Sequence, residues 1–453
     1  MTKKAMDREE RRTRLEALGA KTLTDALLEL SQRFEKADNL VDRLISTPEE
    51  SLKQFKSRIT GLKRSKRFID WREAHSFANE LEDLLKGLKV GVEDPEMGAR
   101  AVALFFETDK TVFNRCDDSG GQIGDVYRID ACEVFVFYAS RWTDKKAVCD
   151  LVLEILKDND YGVKDDFIDF ASQYLGEVEM RELCDRFWCR SEEESEDYQS
   201  RQYLFFIESL ARQLGDAPLF EKTCRSKYPV LSVASHLEIA KVYFETGNAI
   251  QALEWLEKVD ENESFQRSER EKLLLDVKEK LGDKKGASDI AWAIFKGSID
   301  SDNFKRLLEV IGEKHRERVI EQAVRQIEEN SRFQSGDVLF LFEIGQIDVA
   351  DTYIIKRAEL ISGTNYSPLL SLTEVLEKEN RYLAASVIFR SLLTNILESG
   401  VSKSYHHGVR YLKKLDRLES KVLDWRKISP HQEFKAILRE KHGRKSSFWP
   451  KYQ

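Results

Sequence analysis

"HLEIAKVYFETGNAIQALEWLEKVD", residues 236–260, holds two apolar-periodic segments broken at Gly247. Three further stretches align with it on their turn residue: "KLGDKKGASDIAW" (280–292), "EIGQIDVADTYII" (343–355) and "KENRYLAASVIF" (378–389). Gly247, Gly282, Gly345 and Asn380 then coincide. Five residues later stands Ala252, Ala287, Ala350 or Ala385, and eight later Trp255, Ile290, Tyr353 or Ile388. Five residues earlier stands Val242, Val277, Phe340 or Val375. The steps between turn residues are 35, 63 and 35, and the long step has room for an irregular extra pair of helices around 302–330. Glycine and asparagine are the residues that most readily end a helix in the left-handed conformation. A small alanine lets the second helix approach the first, and the bulky residue after it fills the space to the next pair. Two-helix units of this kind bury their apolar faces by stacking. Four unrelated hairpins are the plainer alternative.

This period with a turn-then-alanine pattern resembles tetratricopeptide repeats in degenerate form. Outside the repeat the helical period persists. "TLTDALLELSQRF" puts Leu23, Leu27, Leu30 and Phe34 on one face, with Thr22 and Asp25 as a predicted capping pair. Phe77, Leu81, Leu84, Leu85 and Leu88 form a second stripe, and Asp94 followed by Pro95 starts another helix. "DACEVFVFYASRW" (130–142) is rich in strand-favouring residues, but its flanks are helical and it is read as a buried helix. The expectation is all-α: an N-terminal helical domain over 1–190, an acidic loop or linker at "SEEESEDYQS" (191–200), and a repeat domain over 201–453.

Composition agrees with long amphipathic helices: 34% of the 453 residues are charged, and only 7 are proline. The formal net charge is −8, yet residues 401–453 alone carry 14 Lys/Arg against 5 Asp/Glu. That basic segment either docks on the acidic body or reaches for a polyanion, with Lys413, Lys414, Arg444, Lys445 and Trp449 as the candidate anion contacts. The six cysteines include no Cys-x-x-Cys pair, the first residues are charged throughout, and no apolar run approaches a membrane span. A cytoplasmic protein with reduced thiols and no membrane segment is expected.

No phosphate loop, nucleophile elbow, dinucleotide fingerprint or His-Glu-x-x-His helix occurs in the sequence. The expectation is a non-catalytic protein without cofactor or metal, a scaffold for an unidentified protein or peptide. Groove residues are sought near Tyr243, Trp255, Trp292 and Tyr353, residues that are more often core than contact. Nucleic-acid association through the basic segment is the alternative. One corner stands apart, "FNRCDDSGGQIGD" (113–125). As a calcium loop it fails, because Gln122 and Arg128 occupy positions that need glycine and glutamate. Cys116, Asp117, Asp118 and Ser119 are read as a structural turn, with a ligand site as the other reading. In the turn reading Gly120 and Gly121 take positive φ and Asp125 caps the next helix. A cation from elsewhere would favour the paired aspartates, with Arg444 and Lys445 as one candidate.

"FNRCDDSGG" (113–121) and "HGRKSSFW" (442–449) resemble the FxRCDDS and HGRKSxFW motifs of an uncharacterised bacterial family, a domain of unknown function. "LEALGAKTLTDALLEL" (15–30), "SKRFIDW" (65–71) and "DNDYG" (158–162) are similar to the same family in the same order. The resemblance implies an intracellular bacterial helical protein and brings no activity with it.

Overall fold

The computed structural model describes residues 8–34, 37, 38, 41, 45–157, 159–194 and 197–452. Among these residues the secondary structure is helical with no strand, and one isolated bridge joins Ile69 to Cys116. No helix among them is long and apolar enough to cross a membrane. The chain forms two compact units, Met1–Trp255 and Leu256–Gln453.

The first unit has an apolar core drawn from residues 55–210. Helix Pro48–Arg64 starts with a full capping box between Thr47 and Glu50. Helix Trp71–Gly91 buries Ala74, Ala78, Leu81, Leu85 and Leu88, the stripe its period predicts. Helix Pro95–Phe106 is capped by Asp94, whose carboxylate accepts the Met97 N–H at 2.7 Å. The strand-like "CEVFVFYA" is indeed a helix, Cys132–Ala139, and buries Phe135 and Tyr138. It follows a stretch of π-helix, Val126–Ala131.

Two expectations need correction. Helix Gly19–Arg33 begins before Thr22, so Thr22 and Asp25 lie within it rather than at its cap. The acidic stretch 191–200 is not a boundary either. It ends helix Glu177–Glu193 and opens helix Asp197–Leu214, and these two helices pack together inside the first unit. A run of acidic residues marks the exposed ends of two helices as readily as a linker, and here it marks the ends. Residues 195 and 196 of that stretch lie outside the described residues.

The aligned turns share one backbone geometry. Gly247, Gly282, Gly345 and Asn380 all have positive φ, at 87°, 74°, 77° and 58°. At each, the next residue donates its N–H five positions back: Asn248 to the Tyr243 carbonyl, Asp283 to Lys278, Gln346 to Leu341 and Arg381 to Leu376. This closure satisfies a carbonyl that a helix end leaves open. The four alanines are buried. Gly215 makes the same turn, with φ 65° and Asp216 donating to Ala211. It escaped the alignment because Phe220, not alanine, stands five residues on. Asp216, Asn248 and Asp283 also cap the helices that follow them, accepting the N–H of Leu219, Gln251 and Gly286.

In the second unit Arg267–Lys280 packs on Lys284–Gly297, Ser335–Glu343 on Ile347–Lys356, and Tyr366–Lys378 on Tyr382–Ser399. The irregular pair in the long step is Ser301–Ile311 and Arg316–Glu329. Gly247→Ala should destabilise the first unit by roughly 1–2 kcal/mol, the cost of placing a Cβ in the left-handed region. Gly61→Ala, inside helix Pro48–Arg64 where an added Cβ meets nothing, should stabilise it by about 0.5–1 kcal/mol. Urea-denaturation midpoints of the two variants check the pair.

Candidate functional site

The 113–125 corner is a junction of three chain segments. Ile69 donates its N–H to the Arg115 carbonyl at 2.8 Å, and Asp117 donates to the Ile69 carbonyl at 2.9 Å. Arg115 donates from Nη1 to the Arg67 carbonyl at 3.0 Å, and its guanidinium lies over the Phe77 ring. From the third segment, Tyr161 donates to the Asn114 side chain at 2.6 Å and stacks on Phe113. Asp109 and Lys164 form a buried ion pair at 2.9 Å just behind it. The stretches "SKRFIDW", "FNRCDDSGG" and the described part of "DNDYG", far apart in sequence, therefore meet at one place.

Inside the corner every candidate group has a partner. Asp118 accepts the N–H of Ile123 at 2.9 Å and of Gly124 at 2.8 Å, one on each oxygen. It thereby caps the helical segment that opens at Gln122. Asp125, expected in that role, sits within continuous helix, because Gln122–Asp125 runs directly into the π-helix. Asp117 accepts from the Ser119 hydroxyl and N–H, and these two bonds hold its carboxyl below the usual range. Gly121 takes the positive φ, 72°. The Cys116 thiol is pushed up to about 11, by burial first and then by the charge of Asp118. It is protonated at neutral pH, and so a poor nucleophile and a poor metal ligand. The nearby cation is local: a Cβ at Gly124 would meet Arg128 Nη2 at 2.8 Å and Asp118 Oδ2 at 3.3 Å. Arg444 and Lys445 belong to the second unit, where Lys445 Nζ meets the Tyr405 hydroxyl at 3.3 Å.

The aromatic groove candidates are largely core. Tyr243, Trp255 and Tyr353 are buried. The Tyr243 hydroxyl and the Trp255 indole N–H both donate to Glu221 Oε2, at 2.7 and 3.2 Å. The Tyr353 hydroxyl bonds Asp337 at 2.8 Å and accepts the Gln334 N–H. With ring and polar tip both engaged, none of the three is open to a partner. Trp292 alone of the four is half-exposed, with Phe295 at its edge.

The basic segment is tied to its own unit. Phe448 and Trp449 are buried. The Trp449 indole donates to the His442 carbonyl at 2.9 Å, and Arg439 covers its ring at 4.2 Å. Trp449 therefore has no free face on which a base could stack. Lys414 pairs with Glu377 at 2.7 Å, whereas Lys413 and Arg444 are exposed. At the centre is Asp416, bonded by buried His431 at 2.9 Å, Lys435 at 3.0 Å and Tyr452 at 2.6 Å. Burial works against its charge, but the bonds from Tyr452, His431 and Lys435 win, and its carboxyl titrates below the usual range.

Two cavities were not signalled by any motif. One, of about 380 Å³ in the first unit, includes Glu208, Cys224 and Lys227 in its wall. The Glu208 carboxylate joins Lys227 at 2.5 Å and the Cys224 thiol at 3.2 Å. The other, in the second unit, is lined by Arg390. The available signal was an arginine inside the apolar run "VIFRSLL" (387–393).

Asp118→Asn leaves one oxygen to serve two N–H donors and should cost about 1–2 kcal/mol in a urea titration, with Asp117→Asn costing less. A bound metal lost on either substitution would overturn the turn reading. Because the folded carboxyl of Asp416 titrates below its unfolded value, its contribution is complete above the unfolded carboxylate range and disappears as pH falls through the folded value. Asp416→Asn should therefore be clearly destabilising at pH about 7, and the loss should shrink as pH falls below the ordinary carboxylate value of about 4, as followed by denaturation across that range.

Among solved structures, a circular tandem repeat protein with novel repeat topology and enhanced subunit contact surfaces is similar at 14% identity, over 94% of this chain and 96% of that one, with a TM-score of 0.14. A score that low supports no structural equivalence. No curated protein matches the chain. The match that spans the molecule is to the "Family of unknown function (DUF6880)", over residues 9–225 and 190–451, and the chain belongs to that family.

Proposed function

We propose that the protein is a non-catalytic scaffold that holds a protein or peptide partner in the bacterial cytoplasm, using an array similar to tetratricopeptide repeats. The observation that carries this reading is the recurrent left-handed joint with its closed carbonyls, at Gly215, Gly247, Gly282, Gly345 and Asn380. Joints of this kind serve to stack hairpins, and stacked hairpins expose long surfaces suited to macromolecular partners. Helix Gly19–Arg33 adds to it. This helix buries none of its residues, and Leu28, Leu30 and the adjoining Phe34 remain exposed. An amphipathic helix with its apolar side uncovered is a surface for another protein.

The cysteines fit the same reading. All six are unpaired, as in a reducing compartment. Burial pushes Cys149 and Cys184 up to about 12 and holds Cys132 and Cys224 well above the usual thiol range, so these thiols do not serve as nucleophiles at neutral pH. The nucleic-acid reading has less support, since Trp449 is enclosed and Lys414 and Lys445 already have partners.

Affinity capture with the full chain from its source cells should retain a protein that withstands raised salt. Leu30→Ser with Phe34→Ser, both at exposed positions, should reduce that retention at least several-fold without changing the melting temperature. Recovery of nucleic acid alone, released steeply by salt, would sink the proposal. So would retention that the double variant leaves unchanged.

A further inference from the structure

Helix Tyr382–Ser399 is buried over most of its first half, and Arg390 lies within that half at 7% exposure. Its flat faces are covered by Trp425 at 4.7 Å and Phe434 at 4.6 Å. Nη1 donates to the Ser429 carbonyl at 2.8 Å, with the Ser429 hydroxyl at 3.5 Å. Nε and Nη2 are buried without any acceptor among the described residues. Aromatic rings satisfy the faces of a guanidinium but not its N–H edge. Burial without compensation lowers the Arg390 pKa to about 10. A buried donor left open in a native fold calls for an explanation, and an acceptor supplied from outside the chain is one.

Arg390 lines a cavity of about 360 Å³, together with Ile361, Gly363, Ser391 and Asn395. We propose that this cavity binds a carboxylate, gripped side-on by the open edge of Arg390. Nε and Nη2 carry parallel N–H bonds, the fork that meets both oxygens of a carboxylate at once. Glu359 and Glu398 line the same cavity. One arginine with two glutamates suits a monoanion and opposes a phosphate dianion. The glutamates also suit a ligand whose body carries an ammonium group or other donors beyond the carboxylate. The volume lies at the small end of ligand sites, which run from about 300 to 1,000 Å³. It accommodates a free amino acid or the last residues of a peptide. Nε and Nη2 are themselves covered, so the proposed grip requires that edge to turn towards the cavity that the arginine already lines.

The two sources of the carboxylate are separable, and only the peptide source rests on the scaffold reading. Full-length protein is titrated with lysine, acetate, phosphate, and a pentapeptide ending in lysine with either a free or an amidated C-terminus. Binding is read by calorimetry and by melting temperature. A free-ended peptide that binds where its amide does not identifies a chain terminus. Lysine or acetate binding without the peptide identifies a small acid and leaves the partner reading untouched. Arg390→Lys keeps the charge but loses the fork, and should weaken the bound carboxylate at least tenfold. Thr394→Glu places an internal carboxylate one turn along the same helix. It should raise the melting temperature and abolish binding, and it carries the test if Arg390→Lys does not fold. Wild-type protein that binds none of the carboxylates, or that binds phosphate more tightly than any of them, overturns the proposal.

Discussion

A helix that must reverse leaves carbonyl groups without donors, and five joints of this chain close them in the same way. A single residue adopts the left-handed conformation, and the N–H after it reaches back five positions. The closure sets the angle at which the second helix leaves. Where alanine follows five residues later, the two helices approach closely, and Ala252, Ala287, Ala350 and Ala385 are all buried. Trp255, Tyr353 and Ile388 then fill the layer beyond. The turn, the small residue and the large residue act as one unit, so a change at the turn disturbs packing more than a helical step away.

This arrangement was readable because it repeats. The all-α class, the buried helix at 132–139, the Asp94 cap and the irregular pair in the long step follow from period and turn chemistry. What misled was composition without geometry. The acidic stretch near 191–200 reads as a linker because it lacks apolar residues, yet helix ends facing water have the same composition. Tyr243, Trp255 and Tyr353 mark where a groove between stacked hairpins is sought, and their positions eight after or four before a turn put them in the core instead. Asp125 looked like a cap by position, but Asp118 reaches the free N–H groups first.

The corner at 113–125 shows how a cluster of chemistry-bearing side chains is used for shape. Its carboxylates are spent on backbone donors, its thiol is protonated, and its neighbours from 65–71 and 159–164 are joined by main-chain and ring contacts. Nothing in one-dimensional order brings those segments together. By contrast, Arg390 is conspicuous for what it lacks. Most of the ion pairs lie at the surface, where they contribute little, while this cation is enclosed between rings with no acceptor on its edge among the described residues.

The pair Ser301–Ile311 and Arg316–Glu329 interrupts the spacing of turns without disturbing the joints on either side, at Gly282 and Gly345. Its own break, at Gly312, uses a different backbone conformation, with φ 95° and ψ 143°. A chain whose joints are each closed by residues within six positions does not need its neighbours to be identical. It can lengthen by a whole hairpin of another origin, in the way a row of bricks accepts one of a different mould. Change in such a protein is therefore quantised: tens of residues are gained or lost together, whereas a single inserted residue between Gly345 and Ala350 would rotate the following helix by about 100°.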